Sequence, residues 1–305
     1  MGDYLVVGVH SDAEVERNKG PCVMREDERY AAVAACKWVD EVVKDAPYIT
    51  ELASLDEHNI DFVVHGDDIT TAADGTDCYQ IVKDAGRYKE CKRTAGISTT
   101  ELVGRMLLVT RDHHIRGPRS SLTMQGVDES RVADFSHGSA PAGPLTGIAH
   151  YLFRRVREPK PGDKVVYVDG AFDLFHAGHI EFFKRARQLG DYLLVGIHDD
   201  QTVNAVKGGN FPVMNLQERV LGVLQCRYVD EVIIGAPFSV TKDVLESVYH
   251  VSVVVHGASD QPLDIDGTDP YALPKELGIY REALAEAEAE KAEKAAKAAA
   301  AKAAN

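Results

Sequence analysis

The sequence predicts an α/β fold in which one doubly wound parallel sheet is built twice in tandem. Compact apolar runs rich in β-branched residues alternate with segments whose apolar residues fall at helical spacing, the pattern of parallel strands joined by right-handed crossovers. The chain also repeats itself: MGDYLVVGVHSD at 1–12 returns as LGDYLLVGIHDD at 189–200. Between the two phrases lies a stretch, 111–162, that holds SHGSAPAGPLTG (136–147) and REPKPG (157–162), both rich in turn formers.

The echo runs well beyond its opening phrase. Lys19-Gly20 recurs as Lys207-Gly208, Trp38-Val39-Asp40-Glu41-Val42 as Tyr228-Val229-Asp230-Glu231-Val232, and His65-Gly66 as His256-Gly257. Gly75-Thr76-Asp77 matches Gly267-Thr268-Asp269, and Gly86-Arg87-Tyr88 matches Gly278-Ile279-Tyr280. The offset drifts only from 188 (207 − 19) to 192 (267 − 75), so the two stretches are copies of one domain. The boundaries that follow are 1–110 for the first copy, 111–162 for a linker, 163–281 for the second copy and 282–305 for a tail.

In chain order, REDERYAAVAACKWV (25–39) has helical spacing with an acidic first turn, DFVVHG (61–66) reads as a buried strand, and STTELVGRMLL (98–108) as a helix with hydroxyl residues at its start. The linker carries one expected helix at 148–156, and its His113-His114 pair is expected to be solvated. Val165–Val168 is a strand running into Gly170, after which a short loop leads through His176-Ala177-Gly178-His179 into a helix. DYLLVGIH (191–198), EVIIGA (231–236) and VSVVVHG (251–257) are strands, and LQERVLGVLQCRYV (216–229) is the partner of the helix at 25–39. From Ala283 onward the chain is Ala, Glu and Lys with i,i+4 pairs such as Glu290–Lys294, a solvated helix with too little apolar surface to hold a membrane.

Composition narrows the function. The 305 residues, 45% of them hydrophobic, suffice for two cores. A formal charge of −14 argues against a nucleic-acid partner, so any phosphate must be held locally. Neither an apolar run of membrane-spanning length nor a secretory leader is visible, which predicts a cytoplasmic protein without membrane insertion. Cys22, Cys36, Cys78, Cys91 and Cys226 show no metal-ligand spacing and read as reduced, mostly buried thiols.

In such sheets ligands bind beyond the carboxyl ends of the strands at the switch point. The segment GAFDLFHAGH (170–179) lies there. Histidines three apart across a helix start point the same way, beside free backbone N–H groups and the positive end of the helix dipole, and Gly178 allows close approach of a phosphate.

GAFDLFHAGH resembles the H-x-G-H signature of the nucleotidyltransferase superfamily, and RTAGISTT (93–100) resembles the second signature of its cytidylyltransferase branch. Two such copies in one chain, from Gly2 to Tyr280, resemble the ethanolamine-phosphate cytidylyltransferase family. The resemblance implies two Rossmann-like domains that convert CTP and phosphoethanolamine to CDP-ethanolamine and pyrophosphate, a step of phosphatidylethanolamine biosynthesis. It implies catalytic roles for His176, His179, Lys207 and Lys19. It implies CTP binding by Gly170, Ala171, Phe172, Asp173 and Gly178, by His65, Gly66, Asp67 and Asp68, and by Arg93, Thr94, Gly96, Ile97, Ser98, Thr99 and Thr100. Mg2+ accompanying CTP is implied with no protein ligand identified, and a homodimer is common among relatives of this type.

The two copies are unequal. Met1 aligns with Leu189, so the first copy has no counterpart of Lys164–Gln188 and hence no H-x-G-H, while the second copy has no counterpart of RTAGISTT. The expectation is a natural chain that starts upstream of Met1; one composite site and a nucleotide-binding, non-catalytic protein are the alternatives. Phosphocholine in place of phosphoethanolamine also stays open. A class I aminoacyl-tRNA synthetase shares a similar histidine motif, but KMSKS and a basic tRNA-binding surface are missing.

Overall fold

The computed structural model describes residues 2–68, 70–92, 99–114, 158–246, 250–257 and 263–282. The helix expected at 148–156, the tail from Ala283 and residues 93–98 lie outside the described residues. The chain forms two compact units, Met1–Glu101 and Leu102–Asn305.

The first unit runs β1 (Val6–Val9), α1 (Asp12–Lys19), α2 (Glu26–Ala34), β2 (Glu41–Lys44), α3 (Leu52–Glu57), β3 (Val63–Gly66), α4 (Gln80–Asp84), β4 (Tyr88–Cys91) and the start of α5 (Thr99–Leu108). Its strands form two separate parallel pairs, β1 with β2 and β3 with β4. The core gathers Val9, Ala35, Val39, Leu55, Cys78 and Val82, all buried.

The second unit adds β5 (Val165–Gly170) and α6 (Ala177–Gln188) before repeating the series. There follow β6 (Tyr192–Ile197), α7 (Asp200–Lys207), α8 (Leu216–Leu224), β7 (Glu231–Ile234), α9 (Lys242–Glu246), β8 (Val251–His256), α10 (Ala272–Glu276) and β9 (Tyr280–Glu282). One parallel sheet results, ordered β7-β6-β5-β8-β9. The chain winds outward from β5 through β6 to β7, then crosses back to β8 on the other side, so the switch point lies between β5 and β8. In the first unit, that same position between β1 and β3 holds no strand among the described residues.

Central position explains the sequence of β5 and β6. Residues 165–169 and 192–197 are buried throughout, and a strand covered on both faces reads as a continuous rather than alternating apolar run. Val165, Tyr167, Tyr192, Leu194, Val254 and Tyr271 share one buried cluster with Val240, Val244 and Leu245.

Two expectations need correction. The apolar period at 216–229 continues to Val229, but α8 stops at Leu224. Asp230 redirects the chain: its carboxylate accepts from the Leu193 amide at 2.8 Å and its own amide donates to the Leu193 carbonyl at 3.0 Å, which starts β7. No disulfide joins the thiols among the described residues, but only Cys78 and Cys226 are buried, and Cys91 is exposed. Among the described residues no helix is long and apolar enough to cross a membrane.

Candidate active site

The histidine pair sits where β5 delivers the chain to α6. His176 is the N-cap of that helix, with extended backbone (φ −144°, ψ 176°), and its Nδ1 accepts the Gly178 amide at 3.0 Å. The His176 amide in turn donates to Nδ1 of His179 at 3.4 Å, a capping box built from two imidazoles. The ring centroids are 4.0 Å apart. A main-chain N–H can only donate, so both Nδ1 atoms carry the lone pair. Each neutral ring therefore holds its proton on Nε2.

Gly178 is required by this cap: a Cβ there would stand 2.7 Å from Cε1 of His176. His179 is wedged between aromatics, with Phe175 stacked at 5.6 Å and 13° and Phe172 edge-on at 5.6 Å and 77°. That burial, reinforced by His176 and Lys207, lowers its pKa to about 4. At neutral pH His179 is an uncharged hydrogen-bond donor.

The loop before the pair is bent by Phe172 and Leu174, both in the left-handed region at φ 48° and 50°. Neither is glycine, and such backbone persists only where surrounding bonds over-determine it. Those bonds come from Asp173, whose carboxylate accepts from the amides of Val213 (2.7 Å), Met214 (2.8 Å) and Leu174 (3.1 Å). Asp173 is thereby committed to the loop between α7 and α8. The Ala171 carbonyl accepts from Arg219 at 2.7 Å, and the Phe172 ring lies against Gly170, where a Cβ would be 3.2 Å away.

Lys207 ends α7 and is exposed; Gly208 follows at φ 70°, a conformation glycine adopts without penalty. The second unit thus brings together Gly170, Ala171, Phe172, Asp173, His176, Gly178, His179 and Lys207 at one end of its sheet. In the first unit Lys19 ends α1 in the same way, before Gly20 at φ 95°, and its ammonium lies 6.0 Å from the Tyr48 ring centroid. His65 closes β3, its Nδ1 bonded to the Gly66 carbonyl at 3.2 Å and its ring 4.6 Å from that of Tyr79. Asp67 and Asp68 are exposed in the following turn. Thr99 and Thr100, also exposed, open α5, while Arg93, Thr94, Gly96, Ile97 and Ser98 lie outside the described residues.

Several groups at the site escaped the sequence reading. Arg219 is fully buried, pairs with fully buried Asp200 at 2.7 Å, and binds the carbonyls of Ala171, His198 and Met214. The repeat carried a signal for it: Arg29 pairs with Asp12 at 2.7 Å and binds the carbonyls of His10 and Met24 in the first unit. Asp169, the residue before Gly170, is buried; Tyr271 donates to its Oδ1 at 2.5 Å, and its Oδ2 has no hydrogen-bond partner among the described residues. Burial raises its pKa, opposed by His198, Tyr271 and His256. Nor is the His113–His114 pair merely solvated: both rings donate from Nε2 to the Pro212 carbonyl, at 2.8 and 2.9 Å.

A family model described as cytidylyltransferase-like matches the chain twice, at residues 1–105 and 167–285. The ethanolamine-phosphate cytidylyltransferase of Dictyostelium discoideum is 54% identical over 92% of this chain and 79% of that protein. Those of Mus musculus and Arabidopsis thaliana are each 49% identical over 92% of this chain, covering 75% and 70% of their own lengths. Choline-phosphate cytidylyltransferase A of Mus musculus is 44% identical, over 38% of this chain. With two matches to one family model and this depth of identity along nearly its whole length, the chain belongs to the cytidylyltransferase-like family, in its ethanolamine-phosphate cytidylyltransferase branch.

Proposed function

We propose that the second unit's His176, His179 and Lys207 hold the α-phosphate of CTP while phosphoethanolamine attacks it, in the synthesis of CDP-ethanolamine. A phosphate oxygen of phosphoethanolamine forms a bond to the α-phosphorus, the bond from that phosphorus to the β-phosphate oxygen breaks, and pyrophosphate leaves. Charge accumulates on the crowded α-phosphoryl oxygens, so catalysis consists of positioning and charge stabilisation. The observation that carries the assignment is the pair of Nδ1 acceptors, which turns both Nε2–H donors away from the cap. Lys207 supplies the positive charge that neutral imidazoles lack.

Asp173 and Arg219 hold the loop that aims the histidines and need not touch the nucleotide. Asp169 takes the ammonium of phosphoethanolamine: its Oδ2 is buried without a partner among the described residues at the carboxyl end of β5, and a cation there offsets the penalty of ionising it. In the first unit, Lys19, His65, Gly66, Asp67, Asp68 and the motif at 93–100 form a second nucleotide-binding set, with Arg93, Ser98, Thr99 and Thr100 directed to the β- and γ-phosphates. Magnesium arrives with the triphosphate as part of the substrate. Among the described residues no group of three or more His, Cys, Asp or Glu is arranged to hold a metal ion, so no side chain is assigned to it.

The test is steady-state synthesis of CDP-ethanolamine from CTP and labelled phosphoethanolamine by the chain and its His176→Ala, His179→Ala and Asp169→Asn variants. The histidine variants lose kcat, and Asp169→Asn raises KM for phosphoethanolamine more than for CTP. Unchanged constants in both histidine variants overturn the assignment.

A further inference from the structure

The loop that carries Lys207 away from α7 is gripped from two sides. On the site side its amides at Val213 and Met214 are bound by Asp173, and the Met214 carbonyl by Arg219. On the other side lies the segment from Arg105 to His114. The Arg105 guanidinium forms a two-pronged ion pair with Glu218, at 2.7 and 3.0 Å, and also donates to the Val213 carbonyl at 3.1 Å. Asn210 donates to the Arg105 carbonyl at 2.9 Å, and His113 and His114 share the Pro212 carbonyl. Arg105 is only 7% exposed, and a buried, fork-shaped guanidinium fixes direction as well as charge.

Each peptide group from Pro212 to Met214 is therefore held from outside the loop. Its carbonyls at 212 and 213 face Arg105, His113 and His114, while its amides at 213 and 214 face the carboxylate that sets the histidine loop. Asn204 closes the loop on itself, donating to the carbonyls of Gly209 (3.1 Å) and Phe211 (2.6 Å). The Val213 and Met214 peptides thus join the outer strap directly to Asp173.

We propose that Arg105, assisted by His113 and His114, is a positioning residue for the His176–His179 site, acting through the Gly208–Asn215 loop and Asp173. The proposal rests on the assignment of catalysis to that histidine pair. Arg105 touches no substrate; it sets how firmly Asp173 holds the bend at Phe172–Leu174, and with it the direction of both imidazoles.

The experiment uses the full 305-residue chain and its Arg105→Lys variant, which keeps the charge and loses the fork. Amide hydrogen exchange is followed by mass spectrometry over 171–179 and 208–218, beside steady-state kinetics with CTP and phosphoethanolamine. Exchange in both segments is expected to quicken about tenfold, with β8 and β9 unaffected. The kinetic expectation is a kcat about tenfold lower and a KM for CTP within about twofold of the parent. Faster exchange at 208–218 alone, with 171–179 as protected as in the parent, overturns the proposal and leaves Arg105 a loop anchor. Should Arg105→Lys fail to fold, the His113→Ala/His114→Ala double variant removes the bonds to the Pro212 and Asn210 carbonyls, leaves the Arg105–Glu218 pair in place and is read in the same way. If His176→Ala leaves turnover intact, the catalytic assignment fails by itself, while exchange at 171–179 still decides the link from Arg105 to the histidine loop.

Discussion

The main-chain amide of His176 donates to Nδ1 of His179, and this one bond leaves Nε2 as the nitrogen of the second imidazole that carries the proton. His176 is fixed in the same sense by the Gly178 amide. The pair is a helix cap whose outward face consists of two N–H donors, so the structural role and the proposed chemical role use opposite sides of the same rings.

Nitrogen-15 NMR of the labelled imidazoles should find the neutral form of both histidines as the Nε2–H tautomer. His179 should stay neutral through the range in which an ordinary histidine titrates and gain its second proton only at about pH 4. A His179 midpoint near 6.5 would contradict the wedge between Phe172 and Phe175.

The same shift makes stability acid-sensitive. The folded pKa of His179 lies below its unfolded value, so protons bind the unfolded chain first as pH falls. Its contribution is intact above about pH 6.5 and is lost progressively down to about pH 4. Urea unfolding at pH 7 and pH 5 should show a drop for the parent that is smaller for His179→Gln. Equal drops would assign the acid sensitivity to other groups.

Asp173→Asn should be a loop variant before it is a binding variant. The Val213 and Met214 amides are accepted by different oxygens of the carboxylate, and asparagine replaces one of those oxygens by an NH2 group that faces a main-chain N–H as donor against donor. A loss of about 1–3 kcal/mol in urea unfolding is expected. Parent-like stability with weakened CTP binding would instead make Asp173 a direct nucleotide ligand.

Gly178→Ala puts a methyl group against the His176 ring and must break the cap or swing the ring outward. The expected result is a fall in kcat together with about 1 kcal/mol of stability, the usual worth of an N-cap. An alanine variant with parent kinetics would show that the cap geometry is not what positions His176.

Much of the fold was legible because its signals are local and periodic. The apolar runs at 192–197 and 251–256, the echo between copies and the N-cap at His176 each follow from neighbouring residues. The histidine pair was legible for the same reason. What escaped were groups whose meaning depends on distant partners. Asp169 reads as one more polar residue until Tyr271 is seen to share its pocket, and Arg219 looks like an ordinary helix arginine until it is found buried against Asp200. His113 and His114 read as linker because the carbonyl that binds them lies nearly a hundred residues along the chain. The motif at 93–100 stands on sequence alone.

The most direct measurement of the central claim is the rate of CDP-ethanolamine formation by the chain, with and without the His179→Ala substitution, at saturating CTP and phosphoethanolamine. Loss of donors aimed at the reacting phosphate should lower kcat by about a hundredfold or more, while the rest of the protein stays folded. Equal rates in the two proteins would mean that the histidine pair of the second unit is a helix cap and nothing more.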